Sequence, residues 1–200
     1  MTITNGYATL AEMRWNLSIT DASDTKDDTT IEAVVFDVSR AIDRYCHRHF
    51  YTTTSDETRY YTPTDYCLCV IDDLNSLTSL AQDTTGARVY GTTLAATDYD
   101  LMPNNAALEA WPYTAIRTTP NGRYRFDRAQ TLSVKVVGKF GWSAVPGEVH
   151  AACKLWSERL FKRKDAVFGV VGSGGMGQLL AIGEMDPDVK RLLSPPIRRL

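Results

Sequence analysis

The chain has 200 residues, 44% of them hydrophobic and 23% charged, with 22 Lys and Arg against 24 Asp and Glu for a net charge of −2. That length suits one domain of ordinary size, or a small domain carrying an insertion, and the charge balance excludes a protein that holds nucleic acid through bulk positive charge. No run approaches the ~20 apolar residues of a membrane span, the N-terminus lacks the basic start and apolar core of a signal peptide, and the cysteines, Cys46, Cys67, Cys69 and Cys153, read as reduced thiols of a cytosol-type compartment.

The first element is a short amphipathic helix over 9–16, with Leu10, Met13 and Leu17 at helical spacing and Trp15 beside them. An Asp/Ser/Thr-rich loop follows to Asp28. Ile31, Val34, Val35, Val38, Ile42 and Tyr45 then trace one face of a helix over 29–47, with Thr29 and Glu32 matching a capping box at its start. From Phe50 to Trp142 short β-rich runs alternate with turn residues: 58–62, 67–71, 76–80, 99–102, 113–117 and 132–137. Asp72-Asp73 and Pro103-Asn-Asn105 are among the punctuation. No helical pattern separates these runs, so they predict a small antiparallel sheet. A second strong helix begins at Pro146, carrying Val149, Ala152, Cys153, Trp156 and Leu160 on one face, and ends at Lys162-Arg-Lys164. Asp186-Pro187 caps a last short helix with Val189, Leu192 and Leu193, stopped by Pro195-Pro196. Two apolar stripes about 100 residues apart are covered most simply by packing on each other. The expected fold is α+β: a small antiparallel helical bundle (1–49 and 143–200) with an inserted antiparallel β-rich subdomain (50–142).

Gly172-x-Gly174-x-x-Gly177 has dinucleotide-loop spacing, but no good strand precedes it. Only 23 residues follow Gly177, too few to complete a βαβ unit, and a P-loop would need Gly-Lys-Ser/Thr. Gly172, Gly174, Gly175 and Gly177 read instead as a docking loop that orders on meeting a partner. Cys46, His47, His49, Cys67 and Cys69 are soft ligands within 24 residues and could hold zinc, although their spacing fits no usual finger. Asp21, Ser23, Thr25, Asp27 and Glu32 fall on calcium-loop positions, but Lys26 stands where glycine makes the turn. With His47, His49 and His150 the only histidines and no nucleophile elbow, nothing specifies a reaction. Arg59-Tyr-Tyr61 and Arg123-Tyr-Arg-Phe126 interleave basic and aromatic residues, a pattern that can stack on bases but is also common for cross-strand pairs.

Several stretches, in order, carry a resemblance: LAEMRWNL (10–17) to an opening helix, AIDRYCHRHF (41–50) to a helix exit, LNSLTSL (74–80) to a strand, KFGWSAVP (139–146) to the start of the second helix, and DPDVKRLL (186–193) to a terminal segment. Together they resemble the head-tail connector (adaptor) proteins of long-tailed bacteriophages, in the long form with a β-rich insertion. The resemblance implies a structural virion protein, not an enzyme, needing no cofactor or metal. It would form a ring of about twelve copies in the virion neck, assembled in the host cytoplasm. Its partners would be the portal protein and a stopper or tail-completion protein, with double-stranded DNA passing through without being read. Leu192, Leu193, Ile197, Arg198, Arg199 and Leu200 would be the partner-binding residues, the arginines pairing with portal carboxylates. The alternative from the residues themselves is a zinc-stabilised binding module or enzyme using the Cys/His cluster.

Overall fold

The computed structural model describes residues 3–120, 122–163 and 185–194. It is an α+β protein that divides into two compact units, one of residues 1–47 and 146–200, the other of residues 48–145.

Among the described residues, the first unit holds four helices: α1 (Leu10–Asn16), α2 (Asp28–Cys46), α3 (Gly147–Arg163) and α4 (Pro187–Leu193). α2 packs on α3, and α3 also receives α1 and α4. Of the stripe expected on α2, Ile31, Val35, Val38 and Ile42 are buried while Val34 and Tyr45 are half-buried, and Cys46 is buried as well. On α3 the buried face is Val149, Ala152, Cys153, Ser157 and Phe161, turned by one residue from the expected Trp156 and Leu160, which are half-buried. The reason is a seam of small side chains. Ser39 of α2 lies 3.7 Å from the Cys153 sulfur, which is 3.9 Å from the Ser157 hydroxyl. Small groups let the helices approach, and the bulky Trp156 is displaced from the contact. Ser39 Oγ also donates to the Val35 carbonyl and accepts from the Tyr7 N–H, so its buried hydroxyl is satisfied.

The helix starts correct one expectation. Thr29 and Glu32 do not form a capping box; α2 begins behind Asp27, which makes no side-chain cap bond. The box is on α1, where Thr9 is the N-cap and Glu12 its reciprocal partner. At α4 the expected arrangement is present: the Asp186 carboxylate accepts from the Asp188 N–H and Pro187 opens the helix.

The second unit is an antiparallel six-stranded sheet: β1 (Glu57–Tyr61), β2 (Leu68–Gln82), β3 (Thr92–Leu94), β4 (Tyr99–Met102), β5 (Tyr113–Thr118) and β6 (Val134–Phe140). Its order is β1-β6-β2-β5-β4, with β3 also paired to β2. The runs expected at 67–71 and 76–80, as two strands with a turn at Asp72-Asp73, merge into one 15-residue strand, Leu68–Gln82, with Cys67 just before it. Register shifts near 70–79 mark bulges along it, which bend a strand and let it serve β5 with its first half and β3 with its last residues while β6 follows the other edge. Leu132 is not in the last strand. It has φ 53 and is exposed, and β6 begins at Val134. The core holds Cys69, Ile71, Leu74, Leu80, Leu94, Ile116, Phe126, Val134, Val136 and Phe140. Gly141 ends β6 at φ +105, with its Cα so close to the Tyr51 carbonyl that a Cβ would sit 1.8 Å from that oxygen.

Candidate functional site

The soft ligands noted in the sequence do not form a set. Cys46 is buried in the core of α2, and His47 closes that helix in a left-handed turn at φ 54. In the sheet unit His49 stacks on Tyr51 with centroids 5.3 Å apart, Cys67 is half-buried just before β2, and Cys69 faces the core. Among the described residues no group of three or more His, Cys, Asp or Glu is placed to hold a metal ion. None of the four cysteines is in a disulfide. Burial pushes the Cys69 thiol up to about 12. It raises Cys153 too, against the lowering effect of Ser39 and Ser157. Both shifts run opposite to the depressed pKa that a ligating or nucleophilic thiolate requires.

The calcium-loop reading fails on geometry. The Asp21 carboxylate is engaged by the Ser23 N–H (2.8 Å) and hydroxyl (2.7 Å), bonds that also lower its pKa. Arg14 donates to the Asp21 carbonyl at 2.5 Å and to Asp28 at 2.6 Å, binding the loop to α1. Glu32 lies inside α2. Gly172, Gly174, Gly175 and Gly177, together with Ile197, Arg198, Arg199 and Leu200, lie outside the described residues. Leu192 is half-buried, while Leu193 and Val189 are fully buried where α4 packs on α3. The α4 start is held there by ion pairs from Arg159 to Asp186 and Asp188. His150, on α3, donates to Glu12 across 2.9 Å, so the α1 capping residue also ties α1 to α3.

The Asp72-Asp73 doublet, read from sequence as a turn, carries two separate ion pairs instead. Asp73 accepts from Arg48 Nε (2.9 Å) and Nη2 (2.6 Å) and from the Trp142 indole N–H (3.0 Å), and the side chains of the Arg48–Asp73 pair are only 8% and 6% exposed. Its carbonyl accepts from the Gly141 N–H, and the Thr52 hydroxyl donates to the Trp142 carbonyl. Residues 48–52 and 141–142, the two ends of the unit, are thus fastened to the same point of β2. Phe50 and Trp111 flank Trp142, at 5.5 and 5.1 Å between centroids. Asp72 accepts from Arg59 (3.0 Å) and from the Tyr61 hydroxyl (3.0 Å). Burial and the Asp72 charge both raise the Tyr61 pKa. The only local signal for this in the sequence was two arginines, Arg48 and Arg59, set among aromatics.

Three surface regions stand out. Leu108 (87% exposed) and Trp111 (48%) project from the loop between β4 and β5. Arg117, Arg123, Arg125 and Arg128 are exposed at the end of β5 and in the loop before β6. Arg128 lies over the exposed Tyr66 ring at 5.6 Å and Arg123 over Tyr124 at 5.8 Å. In the helical unit Trp15 is 79% exposed beside the acidic loop.

The described helices and the antiparallel sheet make an α+β protein with exposed aromatic and arginine surfaces. No family model and no curated protein matches the chain. Solved structures do match. One is a chain of the "Neck of empty GTA particle computed with C6 symmetry", a gene transfer agent particle. Its TM-score is 0.57 at 16% sequence identity, and the alignment covers 100% of this chain and 95% of that one. At that identity the likeness shows a shared fold.

Proposed function

We propose that this chain is a structural neck protein of a phage-like particle, acting as an adaptor between the portal and a stopper or tail-completion protein. The observation that carries the reading is the extent of the likeness: the alignment with a chain from a particle neck runs the whole length of this chain and takes in both the helices and the sheet. The order of sequence stretches that resembles bacteriophage connectors supports it independently, because it lies in the residues and not in the fold.

In this reading about twelve copies form a ring in the virion neck after assembly in the host cytoplasm, and double-stranded DNA passes through unread. A chain of net charge −2 suits such a channel, since a basic lining would retain DNA by releasing its counterions. The role is architectural and requires no catalytic group or cofactor. The tail from Leu192 to Leu200 docks on the portal, with Arg198 and Arg199 against its carboxylates, and the glycine loop (Gly172, Gly174, Gly175, Gly177) orders on contact. Leu193 takes part through the short helix that it anchors.

Electron microscopy of the full chain mixed with portal tests the reading: a ring of this protein seated on the portal is expected. A portal that remains bare at saturating protein refutes it. Deleting 194–200 leaves the melting transition intact and abolishes attachment; unchanged attachment removes the tail from the mechanism.

A further inference from the structure

The arginine patch of the sheet unit is a built feature. The Phe126 side chain is buried in the sheet core, and its N–H donates to the Tyr66 carbonyl at 2.8 Å, pinning loop 123–128 against the turn before β2. Arg125 braces the loop from within, donating to the Thr119 (3.1 Å) and Pro120 (2.8 Å) carbonyls. Arg117 stands opposite Asp100 across β4 and β5. Arg123 and Arg128 lie over tyrosine rings and have no carboxylate partner among the described residues. The outcome is a positive surface floored with aromatic rings on a chain of net charge −2.

The helical unit carries its chemical complement. Asp21 and Asp24 are exposed on a loop that Arg14 fastens to α1, and the most exposed tryptophan of the described residues, Trp15, follows Arg14 directly. Arginine and tyrosine on one side, aspartate and tryptophan on the other, are the residue types that form ion pairs and cation–π contacts across interfaces.

We infer that the Arg123/Arg128/Tyr66 surface of one copy binds the Trp15/Asp21/Asp24 surface of a second copy. This rests on the neck reading for its setting. The two surfaces are different, so the contact is head-to-tail, the kind that closes into a ring rather than a two-fold dimer. Double-stranded DNA is the competing occupant of the arginines. It is disfavoured because two unpaired arginines on a net-negative chain give little phosphate affinity at physiological salt, and because it leaves Trp15 and its acidic neighbours without a role.

Charge reversal with rescue tests the contact. Self-association of the full chain is measured by sedimentation velocity up to 1 mM in 50 mM and 500 mM salt, alone and with portal. Wild type associates more tightly at low salt. R123E/R128E and D21R/D24R each weaken association by about tenfold or more, because like charges are brought together, and the quadruple variant recovers most of the loss. Thermal melts confirm that each variant folds; if D21R/D24R does not, D24N and R128Q supply a graded version of the same series. Association unchanged by both reversals, or no recovery in the quadruple variant, overturns the contact. If rings still form on portal in those cases, the neck reading stands without it. A chain that stays monomeric in every condition overturns both. A 30-base-pair duplex that binds wild type and is lost with R123E/R128E, while association stays unchanged, assigns the patch to DNA and overturns the contact.

Discussion

Replacing Asp73 with alanine should destabilise the sheet unit more than any surface change. The substitution removes the carboxylate that neutralises Arg48 in a site where both partners are under a tenth exposed, and deprives the Trp142 indole N–H of its acceptor. Breaking one side of a buried ion pair costs about 3–5 kcal/mol, and a buried unpaired donor about 1–3 kcal/mol. The two costs overlap, since the cavity admits some water, so a net loss of about 4 kcal/mol is expected. For a unit of roughly a hundred residues, 1 kcal/mol moves Tm by about 4–8 °C, so the sheet transition should fall by about 15–30 °C. Circular dichroism at a β-sensitive wavelength, with calorimetry to separate transitions, makes the measurement. The double variant R48M/D73L removes both charges and should recover much of the loss, because an apolar pair of similar volume avoids the desolvation penalty. A drop below about 5 °C for D73A, or a double variant no better than the single, would refute the argument that the pair fastens the ends of the sheet unit.

Three other outcomes are expected. Partial burial pushes the Glu12 carboxyl up, but bonds from the Thr9 backbone and hydroxyl, then His150, outweigh it and hold the group at about 2. A folded-state value below the unfolded one means that its contribution is present above about pH 4.5 and is lost as pH falls towards 2. The difference in melting temperature between wild type and E12Q should therefore be present at pH 6, be small because the site is over a third exposed, and vanish by pH 2. A disulfide-exchange reagent at pH 8 should label one thiol of the native protein rapidly, the half-buried Cys67, leaving Cys46, Cys69 and Cys153 until denaturant is added; rapid labelling of C67S would contradict the burial pattern. G141A places a methyl group 1.8 Å from the Tyr51 oxygen at a φ that L-residues rarely adopt. It should yield insoluble protein, or a sheet transition lowered by several kcal/mol in urea.

Helices were the legible part of the sequence. A period of 3.6 needs only local residues, and four of the six stripe residues expected on α2, Ile31, Val35, Val38 and Ile42, are buried. The one-residue rotation on α3 was not local: it depends on Ser39, more than a hundred residues away, meeting Cys153, which in turn meets Ser157. The same limit explains β2. An acidic doublet between two apolar runs has the composition of a turn, and partners brought in by other segments, Arg59 and Tyr61 for Asp72 and Arg48 and Trp142 for Asp73, make it tolerable within a strand. Thr9-x-x-Glu12 and Thr29-x-x-Glu32 offer the same capping pattern, and sequence alone did not separate the box that forms from the one that does not. Leu193 stands in the segment that the connector resemblance makes partner-facing, yet its side chain is in the interior of the helical unit. The exposed tyrosines and arginines were visible as a pattern, but their clustering around Tyr66 required the pairing of Phe126 with that turn.

The sheet unit also shapes how the polypeptide comes together. The Thr53 N–H donates to the Phe140 carbonyl at 2.9 Å, so closing the sheet brings the chain leaving α2 alongside the chain returning to α3. For α2 and α3 to meet before that, a connection of about a hundred residues must be looped; afterwards the effective connection is about ten. Closure entropy scales with the logarithm of loop length, so the earlier event lowers the cost of the later one by about 2 kcal/mol. The inserted residues therefore act as the fastener that makes helix pairing affordable, and truncations within them should scatter the helices as well as the strands.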